Sequence, residues 1–202
     1  MALPTSPRRW HKSPGFLIST DKLLLSPSAI NEAFDSEIVY WAKPVPEDVL
    51  QTMIQNSFCL GVYEIVPATT TATTTNGTGT GTDTGISHTD PSTTVSNCKI
   101  NPRQTLKQIG FARLVGDMVT FAYVTDLYVL SEYQGQGLGG WLIDCIGEML
   151  GEMPYLRWAM LRTSMEQSQR AYEKRLGMQV LVSGDIGQGP VMMGKKGGCG
   201  GP

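Results

Sequence analysis

An apolar strand, a glycine-rich turn and an amphipathic helix follow one another without interruption between residues 120 and 150. No other stretch constrains the fold as strongly. Residues 120–130 read as a long strand ending in Leu127-Tyr128-Val129-Leu130, and the turn is Ser131-Glu132-Tyr133-Gln134-Gly135-Gln136-Gly137-Leu138-Gly139-Gly140. Leu138, Trp141, Leu142, Cys145, Ile146, Met149 and Leu150 then recur at helical spacing and give a core-facing stripe. So many small residues before a helix leave more backbone N–H exposed than a tight turn needs. They aim it at one point, with the positive end of a helix dipole behind them. Such a place suits a phosphate-bearing ligand.

The chain has 202 residues, enough for one domain with a real core, and a hydrophobic fraction of 41% makes it globular. Its formal charge of −2 offers nucleic acid no general attraction. The basic cluster Arg8-Arg9-Trp10-His11-Lys12 reads as a solvated tail. No window approaches the ~18 apolar residues of a membrane span. Prolines stand where a secretory leader would carry its apolar run. The expected location is therefore the cytoplasm, with the nucleus also open. Cys59, Cys98, Cys145 and Cys199 are scattered without a Cys-x-x-Cys pair, as in a reducing compartment. Only His11 and His88 are present, which leaves almost no material for a zinc site or a Ser-His-Asp triad. No metal is expected.

Residues 1–14 carry Pro4, Pro7 and Pro14 and read as a flexible tail. A short strand is expected over 15–20. Ser26-Pro27 opens a helix carrying Ile30, Ala33 and Phe34. A second helix spans 47–56, with Val49, Leu50, Met53 and Ile54 on one face, and a strand follows over 58–66. From Ala68 to Ser96 the composition is mostly Thr, Gly, Ser, Asn and Asp. Such a stretch cannot bury enough surface to offset ordering entropy, so 67–105 is expected to be a disordered insert. Closing so long a loop costs roughly 2 kcal/mol more than a hairpin turn, which a domain tolerates. Strands over 107–115 and 120–130 flank the turn at Gly116-Asp117. A strand over 156–163, a helix over 166–176 ended by Gly177, and a closing hairpin from 178–182 and 190–193 complete the domain, 15–196. Residues 197–202 read as a tail, with glycine-rich looseness setting in from Gly194. The order β-α-α-β-(insert)-β-β-α-β-α-β-β predicts an α+β fold, a mixed, largely antiparallel sheet flanked by helices.

Gly135 to Gly140 matches Gly-x-Gly-x-x-Gly, the dinucleotide fingerprint. That reading wants an early parallel β-α-β unit and an acidic residue about twenty positions on, where Tyr155-Leu156-Arg157 stands. A second near-match, Gly189 to Gly194 before Lys195, lacks the hydroxyl residue of a phosphate loop, since Lys196 occupies that place. The pattern Gln/Arg-x-x-Gly-x-Gly/Ala is met instead by Gln134, Gly137 and Gly139, after an apolar strand end and before an amphipathic helix. Together with the element order, the Tyr172…Gly177-Met178 segment and the closing hairpin, this resembles the GNAT superfamily of N-acetyltransferases.

The resemblance implies an acyl-CoA N-acyltransferase fold with acetyl-CoA as cosubstrate. Its pyrophosphate would lie on the amides of Gln134, Gly135, Gln136, Gly137, Leu138, Gly139 and Gly140, and its pantetheine arm along Leu127, Tyr128 and Val129. It implies direct attack of an amine on the thioester, without a covalent enzyme intermediate, the oxyanion meeting the Val129 N–H or a neighbour. Tyr172 stands where the family keeps its tyrosine acid, although Gly177 comes one position later than usual. Asp126, the sole carboxylate of its strand, is either the base or a structural partner of Arg113. Tyr40, Trp41, Arg113 and Tyr123 are candidate acceptor contacts. Cys145 lies on the core stripe and reads as packing. The expected acceptor is a small amine or amino sugar, the chain acting as a monomer or homodimer. A protein or peptide acceptor and a non-catalytic CoA sensor are the alternatives.

Overall fold

A computed structural model describes residues 6–67, 104–181, 186–188 and 191–196. The strands are β1 (Arg9–Lys12), β2 (Phe16–Ser19), β3 (Phe58–Pro67), β4 (Gln104–Val115), β5 (Phe121–Val129), β6 (Trp158–Thr163), β7 (Gln179–Val180) and β8 (Val191–Lys196). The α-helices are α1 (Pro27–Phe34), α2 (Glu47–Gln55), α3 (Leu138–Gly151) and α4 (Glu166–Leu176). The strands form one sheet in the order β1-β2-β3-β4-β5-β6-β8-β7. Its pairings are antiparallel except for β5 with β6, which the crossover through α3 makes parallel.

Both faces are covered. Leu138, Leu142, Cys145, Ile146 and Met149 of α3, with Tyr172 and Leu176 of α4, pack on one face against Val62, Ala122 and Leu161. Ile30, Ala33 and Phe34 of α1, with Leu50 and Ile54 of α2, pack on the other against Cys59, Phe111 and Tyr128. The Ser26 hydroxyl accepts from the Ala29 N–H at 3.3 Å, and Pro27 fills the first turn of α1. Val49 of α2 turns outward. At the β4–β5 turn the Asp117 carboxylate accepts from the N–H groups of Val119, Thr120 and Phe121 at 2.8–2.9 Å.

Two expected tails give up residues to the sheet. Residues 9–12, read as part of a flexible tail, form β1. Trp10 packs on the core and donates from Nε1 to Glu148 at 2.8 Å, while Arg8 grips Glu152 through two hydrogen bonds of 2.7 and 2.8 Å. The alternation of Arg9-Trp10-His11-Lys12 spans only four residues, too few to register as a strand between prolines. Gly194 to Lys196, expected to be loose, continue β8, which inserts between β6 and β7. The expected insert, 67–105, lies outside the described residues except that Pro67 ends β3 and Gln104 and Thr105 open β4. Residues 197–202 also lie outside them. Among the described residues no helix is long and apolar enough to cross a membrane.

Candidate active site

The site grows from a fault in the sheet. Phe111 of β4 pairs with Tyr128 of β5, but Arg113, two residues on, pairs with Thr125, so β5 holds one extra residue across this interval. Asp126 takes up the slack at φ 52, in the left-handed region that short polar side chains tolerate best. On the far side, pairing of β5 with β6 runs from Phe121–Trp158 to Val124–Leu161 and stops. Beyond that point the two strands separate, and a cleft of 840 Å³ opens between them.

The bulge decides which way the backbone of β5 points. Leu130 N–H donates to Ile109 O at 2.9 Å, which makes Gly110–Val129 a pair that does not bond directly. The N–H and C=O of Val129 therefore point away from β4 and toward the cleft. The Val129 carbonyl accepts from Gln134 Nε2 at 3.0 Å. Gly110 makes the close approach possible: a Cβ there would lie 2.8 Å from the Tyr128 carbonyl oxygen and 3.2 Å from Val62.

The turn delivers the second element. Gly135 and Gly137 adopt φ 80 and φ 72, and Gly137 serves as N-cap of α3 without a side chain to accept from the first-turn amides. Nothing lies within 4 Å of where a Cβ would sit at Gly135 or Gly139. Tyr133 pins the turn to the sheet, donating to Glu64 at 2.6 Å and accepting from Lys107 at 3.0 Å. Gly135, Gly137, Leu138, Gly139 and Gly140 line the cleft, as do Leu127, Tyr128 and Val129; Gln134 borders it while bonded to the strand end. Gln136 lies outside the lining, exposed to solvent.

Tyr172 reaches the same cleft from α4, 8% exposed, and burial pushes its phenol up to about 12. Gly177 ends α4 in the left-handed conformation, φ 62. Asp126 lines the cleft but is already engaged. Arg113 Nε donates to its Oδ2 at 2.7 Å, the Thr125 hydroxyl to its Oδ1 at 3.2 Å, and Arg113 Nη1 to the Ser57 hydroxyl at 3.1 Å. Arg113, a candidate acceptor contact, is thereby drawn out of the lining and into the pair. Tyr40, Trp41 and Tyr123 do border the cleft. Tyr40 stands edge-on to Trp41 with ring centres 5.1 Å apart, and its hydroxyl bonds that of Ser164 across the cleft. The thiols of Cys59 and Cys145 are buried among apolar neighbours, which pushes them up to about 11 and about 12 and makes them inert.

The sequence reading missed four residues. Lys12 of β1 donates to the Gly137 carbonyl at 3.4 Å and rides over the Trp141 ring. Arg175 of α4 lies across Gly140, where a Cβ would meet its guanidinium at 2.6 Å, and pairs with Asp144 at 2.5 Å. Gly110 and Arg162 are the others. None sits in a motif; each arrives through tertiary pairing alone.

Known proteins resemble this chain in sequence and in shape. The sequence profile of the acetyltransferase (GNAT) domain family matches residues 103–177. A protein of Gibberella zeae described as an acetyltransferase is 34% identical over 175 residues, which covers 87% of this chain and 85% of that one. A GNAT-family crystal structure from Xanthomonas campestris is 24% identical, with a TM-score of 0.51 over 81% of this chain and 85% of its own. The ribosomal-protein-S18-alanine N-acetyltransferase of Escherichia coli is 17% identical, with a TM-score of 0.52 over 92% and 96%. The two structures share the fold, and the Gibberella relative shares sequence along most of both chains. The chain belongs to the GNAT superfamily of acetyltransferases.

Proposed function

We propose that this acetyltransferase moves an acetyl group from acetyl-CoA to the primary amine of a small molecule. The course of the cleft carries the reading. Its lining joins the bare N-terminus of α3 to Val129, whose amide points away from β4, to Tyr172, and to Tyr40 and Trp41. Acetyl-CoA, when bound, supplies a thioester as acyl donor. The donor set fits its diphosphate: α3 begins with N–H groups that no side chain caps, and the turn is free of Cβ atoms that would hold an anion off. A helix terminus contributes ~0.3–2 kcal/mol, so the amides of the turn contribute most of the grip. The unpaired edge of β5 at Leu127–Val129 suits the amides of a pantetheine arm, which pairs with it as an added strand would.

Holding the amine beside the thioester can supply up to roughly 7–11 kcal/mol of the barrier. The Val129 N–H donates to the acetyl oxygen as negative charge gathers there, fixed in direction by the bulge and by Gln134. Tyr172 keeps its proton through neutral pH and gives it to the departing sulfur. Asp126 is a positioning residue: ion-paired to Arg113, it shapes the bulge that aims Val129, and the amine sheds its proton to solvent. Tyr40 and Ser164, bonded through their hydroxyls, border the cleft together with Trp41, and this small aromatic wall suits a small acceptor. Two free, buried cysteines suit the reducing cytoplasm, where acetyl-CoA is available.

Calorimetric titration with CoA, followed by thiol release in the presence of amines, amino sugars and peptides, tests the reading. Binding and turnover of small amines are expected. Turnover of peptides alone would move the acceptor to proteins, binding without turnover would make the chain a sensor, and absence of CoA binding would overturn the reading.

A further inference from the structure

Among the described residues, the cleft is lined by two charged side chains, Asp126 and Arg162. Asp126 is cancelled by Arg113 at 2.7 Å. Arg162 forms no ion pair or side-chain hydrogen bond with any described residue. Among the described residues, the uncompensated charge of the lining is therefore one guanidinium.

Its position follows from strand alternation. Ala159 and Leu161 of β6 enter the core beneath α3 and α4, so Met160 and Arg162 face the other way. Tyr123, opposite Met160 in the parallel register, shares that outer face. Val124–Leu161 is the last pair before the strands part, so Thr125 and Arg162 are the first residues to stand unpaired across the opening. Arg162 thus borders the cleft on the face of Tyr123, away from α3 and its glycine turn. Tyr40 bonds Ser164, two residues beyond Arg162, and stands against Trp41.

A primary amine bearing no other charge arrives as a cation and meets there only a second cation. An amine that also carries a carboxylate arrives without net charge and finds a planar fork matched to its two oxygens. We propose that the acceptor is an amino carboxylate, an amino acid or a close analogue, and that Arg162 binds its carboxylate. This rests on the acetyl-transfer reading and narrows its acceptor. The uncharged amine nitrogen forms a bond to the acetyl carbon and loses a proton. The carbon–sulfur bond breaks and the sulfur takes up a proton, so the products are an N-acetyl amino acid and the free CoA thiol.

The test pairs each of the common amino acids with its amide and its decarboxylated amine, using the full chain and saturating acetyl-CoA. The best amino acid should exceed its amide in kcat/KM by about 10–100-fold, the value of a charge-assisted bidentate contact. Arg162→Gln should close that gap through KM and Arg162→Lys should reopen part of it. Thermal shift gives a second readout: with CoA present, the N-acetyl product should raise the melting temperature of the wild type and not of Arg162→Gln. Amide and acid used equally by the wild type, a gap that survives Arg162→Gln, or turnover confined to polyamines, peptides or amino-sugar phosphates would overturn the carboxylate assignment while leaving acetyl transfer standing. A chain that binds no acetyl-CoA, or acetylates nothing, removes both.

Discussion

Arg113 on β4 holds Asp126 on β5 at 2.7 Å, across the point where the register between the two strands slips by one residue. The pair is largely buried, at 18% and 8% side-chain exposure, and Thr125 and Ser57 satisfy further atoms. Removing one partner strands the other charge. Asp126→Ala should cost about 3 kcal/mol in urea unfolding, and an apolar replacement of both residues should recover much of it. A variant with unchanged stability and a collapsed kcat would instead make Asp126 the base.

Tyr172 is buried in the core and lines the cleft. Tyr172→Phe removes one oxygen and no packing volume, so stability should change by less than about 1 kcal/mol. Turnover should fall by roughly 10²-fold or more, the worth of a positioned acid. Pre-steady-state thiol release is the direct measurement.

The pH profile separates a solvent-deprotonated amine from one served by a carboxylate. Among the described residues Asp126 is the sole carboxylate of the lining, and it is paired. Without a base, kcat/KM should climb tenfold per pH unit until the acceptor amine loses its own proton, near about 8 for the α-amine of a peptide, higher for a free amino acid whose carboxylate stabilises the ammonium, and near about 10 for an ε-amine. Burial raises the Tyr172 phenol to about 12, so its proton is present below that value and lost only above it. No descending limb should therefore appear between pH 6 and about 10. A plateau reached near pH 5–6 would show a carboxylate at work.

Gly110 is a packing requirement of the bulge. An added methyl would meet the Tyr128 carbonyl at 2.8 Å, and that backbone cannot retreat without moving Val129. Gly110→Ala should cost about 1–3 kcal/mol and depress kcat beyond what lost stability explains. Comparing activity per folded molecule separates the two effects.

Lys12 sits over the Trp141 ring and donates to the Gly137 carbonyl, placing a cation beside the turn. The turn supplies no basic side chain of its own: Gln134 stands where the family more often has arginine. Lys12→Gln should weaken CoA binding by about three- to tenfold and flatten its salt dependence, as read by Trp141 fluorescence titration.

The strand, turn and first helix of the site were legible because each follows a local rule. The stripe from Leu138 to Leu150 has helical period, and Gly135 and Gly137 occupy left-handed positions that favour glycine. The Arg113–Asp126 contact was legible as one of two roles because the strands carrying the two residues read as a hairpin. What escaped is what tertiary pairing creates. No local pattern announces that β5 carries an extra residue, that Val129 turns its amide outward, or that Lys12 of β1 ends beside Gly137. Arg8 and Trp10 hold β1 through Glu152 and Glu148, more than a hundred residues away. Arg162 looked like any exposed arginine until the parting of β5 and β6 gave it a cavity to face.

One cleft is lined both by the glycine turn before α3 and by Tyr40 and Trp41. On the proposed reading, a thioester carrier held on the turn leaves the wall of Tyr40 and Trp41 to the acceptor. Neither reactant then needs to leave before the other arrives, so initial-rate plots should intersect rather than run parallel, and a dead-end inhibitor seated on one wall should leave the other free to bind.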